Sequence, residues 1–242
     1  MMQISPIIGH RGLASLAPEN TLASIKMAHQ HNIQWIEADA SILGDDTVVL
    51  CHDDTLNRCS NGQGSLLTIN KNNLRCLDAG SWFSEAFAGE PIPTLAQALT
   101  LLSDFNMGFN LELKAQAGVS PAKTVSLICP IVQKLWKSNK PLLISSFDHD
   151  ILRIYRQQDK HQAIGPLYEQ IDTHWHSTLQ DLNAISLHCD WLNLTPVQAH
   201  SIKAAGYQLV IYTCNDRESA RQLLAMGVDS IISDSPHLLN TL

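Results

Sequence analysis

Eight short apolar, β-branched runs alternate with helix-patterned segments, and that alternation limits the fold more than any other feature. The runs are Pro6–His10, Trp35–Ala40, Gly108–Lys114, Leu142–Phe147, Ala163–Tyr168, Ala184–His188, Gln208–Asn215 and Ser230–Ser233. Helical spacing predicts helices over Thr21–His31, Thr94–Phe105, Pro121–Lys137, Asp148–Gln157, Trp175–Leu182, Pro196–Ala205 and Arg217–Met226. Thr94 is a natural N-cap, and Gly206 and Gly227 are stop signals. Over 242 residues this gives about 30 residues per strand–helix unit, as a (β/α)8 TIM barrel requires. An extra strand is expected at Thr47–His52, and the irregular, glycine-containing stretch from about 53 to 91 reads as a small insertion after strand two. An open doubly wound sheet is the alternative, but its glycine-rich phosphate loop does not follow the first strand. No linker composition interrupts the chain, so residues 1–242 are expected to form a single domain.

Composition excludes several functions. Charged residues are only 16% of the chain, which suits strands covered on both faces. The formal charge of −7 argues against a nucleic-acid partner, which needs a basic face. No apolar run reaches the roughly 18 residues of a membrane span. The opening MMQISPIIGHRG lacks the features of a secretory signal. Six scattered cysteines without a CxxC pair fit a reduced, cytoplasmic protein.

In a barrel the chemistry sits at the C-terminal ends of the strands. Glu37 and Asp39 lie two apart, as do Glu112 and Lys114, so each pair shares a strand face. Salt bridges to Arg11 and Lys114 could balance one such carboxylate. Three on adjacent strands favour a divalent cation with oxygen ligands: Mg2+, Ca2+ or Mn2+. His10 and His52 follow short strands, and two imidazoles can work as acid and base near neutrality. Arg11 and Lys114 can neutralise a phosphate. His188, ending strand six, is a candidate substrate-side group or a packed histidine.

Other motifs carry less. His174-Trp175-His176 falls in a polar stretch after strand five, and His149-Asp150 is expected to cap a helix. Ser145 and Ser146 lack a nucleophile elbow. Cys51 and Cys189 adjoin histidines in sequence, but neighbours on a strand face opposite ways.

The ordered set of motifs resembles the glycerophosphodiester phosphodiesterase family. It includes His10-Arg11-Gly12, Pro18-Glu19-Asn20-Thr21, Glu37-x-Asp39, His52-Asp53 and Leu77-Asp78-Ala79-Gly80-x-Trp82-Phe83. It continues through Ile92-Pro93-Thr94-Leu95, Asn110-x-Glu112-x-Lys114, Ser145-Ser146-Phe147, Gly227-Val228-Asp229 and Asp234-x-Pro236. The resemblance implies a TIM barrel with an insertion after strand two. It implies metal ligands at Glu37, Asp39 and Glu112, an acid/base pair at His10 and His52, and phosphate-side residues at Arg11 and Lys114. Tyr212 stands where the family commonly has a tryptophan bordering the glycerol site. The implied reaction cleaves glycerophosphodiesters to glycerol 3-phosphate and an alcohol such as choline or ethanolamine. Two other readings compete with it: a lysophospholipase D-type enzyme, and a non-catalytic phosphodiester-binding barrel. The headgroup, the metal, the nucleophile, the assignment of acid and base, and the oligomeric state stay open at this level.

Overall fold

A computed structural model describes residues 2 and 4–239; the remaining ends of the expected 1–242 domain lie outside the described residues. Its strands are β1 (Ile7–Gly9), β2 (Trp35–Ile42), β3 (Val48–Leu50), β4 (Gly108–Leu113), β5 (Leu142–Ser146), β6 (Ala163–Tyr168), β7 (Ser186–Asp190), β8 (Gln208–Tyr212) and β9 (Ser230–Ser233). The helices are α1 (Leu22–Gln30), α2 (Leu95–Asp104), α3 (Pro121–Leu135), α4 (His149–Gln158), α5 (Trp175–Leu182), α6 (Pro196–Ala204), α7 (Arg217–Ala225) and α8 (Pro236–Leu239). All strands but β3 are parallel, and the Gly9–Ile36 pairing of β1 with β2 closes them into an eight-stranded TIM barrel. β3 runs antiparallel to the far end of β2, pairing Ala40–Ile42 with Val48–Leu50. That pairing carries β2 beyond the predicted end at Ala40.

The helices start where short polar side chains can take up free backbone N–H groups. Thr21, Thr94 and Thr195 form capping boxes with Ser24, Gln97 and Gln198. Asp148, not the His149-Asp150 pair, caps α4: its carboxylate accepts from the Asp150 N–H, and His149 opens the helix. β7 begins at Ser186 rather than Ala184 because the left-handed Asn183 that ends α5 spends the next residues on the turn.

Alternation along the strands sorts side chains between two cores. Outward residues such as Ile36, Phe109, Leu111, Ile144, Leu187, Leu209 and Ile231 pack under the helices. Inside the barrel, Ile4, Ile8, Trp35, Leu143, Val210 and Ile232 form a separate apolar cluster. The insertion has its own core of Leu43, Val49, Leu56, Leu66, Leu74, Ala79 and Ile92, with three short 3-10 turns in place of regular helices. Its closing end is tied to α1, where the Ala23 N–H donates to Glu90 at 2.9 Å.

His188 is enclosed in the barrel interior, with no exposed surface. Its Nε2 lies 3.0 Å from Ser186 Oγ, and its Nδ1 has no protein partner. Gly165 faces it across the sheet; a Cβ there would sit 2.5 Å from the imidazole. Burial pushes the imidazole down to about 3, so it is neutral in the fold. The unfolded chain takes up the proton first, near about 6.5. Stability is therefore expected to fall below that pH by up to about 1.4 kcal/mol per unit, levelling off as pH approaches the folded value. Melting temperatures of wild type and His188→Gln between those limits test this. Parallel curves would show that His188 does not carry the acid sensitivity.

Candidate active site

The first strand delivers its side chains through a turn that most sequences could not make. Arg11 and Gly12 both have left-handed backbones, with φ of 50° and 93°. A Cβ at Gly12 would lie 2.3 Å from Ser24 Oγ, so the turn needs glycine there. The turn leaves the Arg11 N–H donating to Glu37 Oε2 at 3.1 Å. Its guanidinium lies beside Asp39 (Nε–Oδ2 3.2 Å) and Glu19 (Nη1–Oε1 2.6 Å).

Glu37, Asp39 and Glu112 all point into the barrel and are buried, and one oxygen of each lies within 4.8 Å of the others. The β2–β4 register sets this, since Asp39 pairs directly with Glu112. Asn20 orients Asp39 with two bonds: its Nδ2 donates to Asp39 Oδ2 at 2.8 Å, and its Oδ1 accepts from the Asp39 N–H at 3.1 Å. Lys114 Nζ sits 2.7 Å from Glu112 Oε1 and 3.6 Å from Asp39 Oδ1.

Burial and the neighbouring Asp39 and Glu112 charges push the Glu37 carboxyl well above the usual range. Burial and Asp39 raise Glu112 as well, against the pull of Lys114. Asp39 goes the other way: burial opposes its ionisation, but Arg11, Lys114 and His52 overcome that and hold it low.

Each candidate histidine is tethered through Nδ1. His10 Nδ1 lies 2.6 Å from Asp234 Oδ1, and His52 Nδ1 lies 2.7 Å from Asp53 Oδ1. Such a carboxylate fixes the ring and leaves Nε2 free for proton transfer. His10 Nε2 is 3.9 Å from Glu37 Oε2. Burial, together with Lys114 and Arg11, lowers the His52 imidazole, although Asp39 and Asp53 pull it upward.

These groups meet at a cavity of about 150 Å³. Its polar lining is His10, Arg11, Glu37, His52, Asn110 and Glu112. The rest of the lining is mainly apolar: Phe147, Leu167, Tyr212, Thr213 and Ile232. Phe147 meets Tyr212 edge to face at 5.8 Å. The Tyr212 hydroxyl donates to the Tyr168 carbonyl at 2.8 Å, so the ring rather than the OH is left for a ligand.

Residues 10–238 match the Glycerophosphoryl diester phosphodiesterase family. The chain belongs to that family. A glycerophosphodiester phosphodiesterase of Caldanaerobacter subterraneus subsp. tengcongensis is 35% identical over 234 residues, covering 96% of this chain and 95% of the relative. A solved structure of an Oleispira antarctica phosphodiesterase, in complex with the product sn-glycerol-3-phosphate, superposes with a TM-score of 0.95 at 35% identity. That superposition covers 98% of this chain and 96% of the other.

The chemistry of the acidic triad is that of a divalent-cation site. Glu37 Oε1 and Asp39 Oδ1 are buried and have no hydrogen-bond partner. Oxygens within 4.8 Å of one another can share one ion at the roughly 2.3–2.6 Å typical of Ca2+, and Mg2+ needs a tighter approach. The residues fit a hard divalent cation.

Of the residues singled out from sequence, His10, Arg11, Glu37, His52, Glu112 and Tyr212 line the cavity, and Asp39 and Lys114 contact that group. His188 does not line it; it lies deeper in the barrel, beside Ser186 and Gly165. From sequence, Asp234, Asn110 and Phe147 have no role of their own, and Asn20 is only an alternative to Thr21 as the cap of the first helix; the structure gives the cap to Thr21 and turns Asn20 to Asp39. All four sat inside quoted motifs, and Asn110 is two residues before Glu112 on the same strand face. His174 and His176 lie at the start of α5, away from the cavity residues.

Proposed function

We propose that this protein hydrolyses glycerophosphodiesters, such as glycerophosphocholine and glycerophosphoethanolamine, to sn-glycerol 3-phosphate and the free alcohol, as one domain acting on a small molecule. The observation that carries this reading is the cavity itself. Two carboxylate-tethered imidazoles and the Glu37 and Glu112 members of a buried acidic triad line one small cavity together with the apolar side chains Phe147, Leu167, Tyr212 and Ile232.

Glu37, Asp39 and Glu112 would hold Mg2+ or Ca2+, which draws negative charge from a phosphate oxygen when bound. Arg11 and Lys114 add two fixed positive charges beside the same carboxylates and stabilise the extra charge of the transition state. One imidazole takes the proton from the attacking hydroxyl, either of water, which gives glycerol 3-phosphate directly, or of the substrate's own glycerol, which gives a cyclic phosphate that water then opens to glycerol 3-phosphate. The other gives its proton to the alkoxide released as the P–O bond breaks. Tyr212 and Phe147 pack against the carbon skeleton of the substrate.

The six free thiols support the cytoplasm as the site of action. Among the described residues no helix is long and apolar enough to cross a membrane.

Release of glycerol 3-phosphate from glycerophosphocholine, followed with and without EDTA, tests the reading. Turnover that stops on chelation and returns with Mg2+ or Ca2+ is expected. Turnover indifferent to EDTA contradicts the metal assignment. Cleavage of lysophospholipid alone, or binding without turnover, would replace the reaction with one of the rival readings.

A further inference from the structure

We propose that Arg58, on the insertion, is a positioning residue for His52, acting through Asp53; its catalytic consequence rests on the function proposed above. Arg58 does not line the cavity of about 150 Å³; it lines the adjoining pocket with Glu19, His52 and Asp53. Its guanidinium joins two carboxylates. Nε donates to Asp53 Oδ2 at 2.8 Å and Nη2 to Asp53 Oδ1 at 2.9 Å, while Nη1 and Nη2 donate to Glu19 at 2.7 and 2.9 Å. Both oxygens of Asp53 are thereby fixed, and one of them holds His52 Nδ1.

The same bonds register the insertion against the barrel. Glu19 also accepts from Arg11, which reaches Asp39. Charges of alternating sign therefore run from Asp39 on β2 through Arg11, Glu19, Arg58 and Asp53 to His52. Backbone bonds such as Cys51 N–H to the Asp39 carbonyl hold the main chain beside His52, and Arg58 is what ties the Asp53 carboxylate to Glu19 on the β1–α1 loop.

The other imidazole is held differently. Its Asp234 receives a hydrogen bond from the neutral Asn215 side chain at 2.7 Å. The residue after β8 that completes this tether, Asn215, also accepts from the Asp234 N–H. Only the His52 tether depends on an ion pair from the insertion. Lysine could supply charge at position 58 but not four hydrogen bonds in one plane.

The test compares R58Q, R58K, D53N and D53N/R58Q with wild type on glycerophosphocholine, alongside thermal melts and 15N-histidine NMR spectra of His52. R58Q and R58K are both expected to lose about 10–100-fold in kcat with KM little changed. The double variant is expected to be no worse than D53N. In wild type the NMR should show protonated Nδ1, and in R58Q a mixture of tautomers. Full activity in R58K would mean that charge alone suffices and would overturn the proposal. So would losses that multiply in the double variant, or an unchanged His52 signature in R58Q. If R58Q does not fold, R58K carries the same test. If wild type turns over no glycerophosphodiester, the function fails while the tautomer measurement still decides the role of Arg58.

Discussion

Glu37→Gln is expected to remove turnover and, in the same protein, to raise the melting temperature of the metal-free form. The two effects share one cause. Glu37, Asp39 and Glu112 are buried within 4.8 Å of one another, where each like-charged pair costs about 3 kcal/mol at an effective dielectric of about 20. Arg11 and Lys114 offset part of that cost. Glutamine keeps the shape and can still accept from the Arg11 N–H, but it carries no charge. A net gain of about 1–2 kcal/mol follows, or roughly 2–8 °C for a chain of this size. Loss of one charged ligand removes several kcal/mol of transition-state stabilisation, so activity should drop on the order of 10²-fold or more. Melting curves in EDTA, set beside glycerophosphocholine turnover with added Mg2+ or Ca2+, check both effects. A destabilised metal-free Glu37→Gln protein would show that the triad is not a strained cation site. Near-wild-type turnover would remove Glu37 from the machinery.

The barrel was legible because its signal is periodic. Each strand is a short apolar run covered on both faces, and each helix carries its own cap, as at Thr21, Thr94 and Thr195. Charges stood out at strand ends for the same reason: on β2 and β4 a carboxylate interrupts a fully buried strand. Contacts between distant segments were not legible. Asp234 reaches His10 from the end of β9, and Arg58 joins Glu19 to Asp53 across 39 and 5 residues. No local period reports such pairings, because they depend on barrel closure and on where the insertion docks. His188 was readable as a histidine at a strand end. Its depth depended on the register of β7 against β6, where the missing side chain of Gly165 makes room for it. The net charge of −7 likewise said little about the ligand. With a divalent ion and neutral histidines, Glu37, Asp39, Glu112, Arg11 and Lys114 would sum to +1, and counting Glu19, Asp53, Asp234 and Arg58 as well would bring the sum to −1.

His10→Ala and His52→Ala are each expected to lose on the order of 10²-fold or more in kcat, but they should part company when the leaving group changes. Both rings are tethered through Nδ1 to a carboxylate, so geometry alone gives them the same kind of free Nε2. In the proposed reaction their chemical tasks differ. The base must take a proton from the nucleophile whatever the alcohol, whereas the acid matters only when the departing alkoxide is too basic to leave unaided. A nitrophenyl ester of glycerophosphate releases a stable phenolate and makes the acid dispensable. On that substrate the variant lacking the acid should recover most of its deficit relative to wild type, and the variant lacking the base should recover none. Equal deficits on both substrates in both variants would contradict an acid/base pair. Asp234→Asn extends the same reasoning. Through its bond to His10 it should lower kcat by about 10–100-fold in wild type and have no further effect in His10→Ala, because a tether matters only while the ring it holds is present.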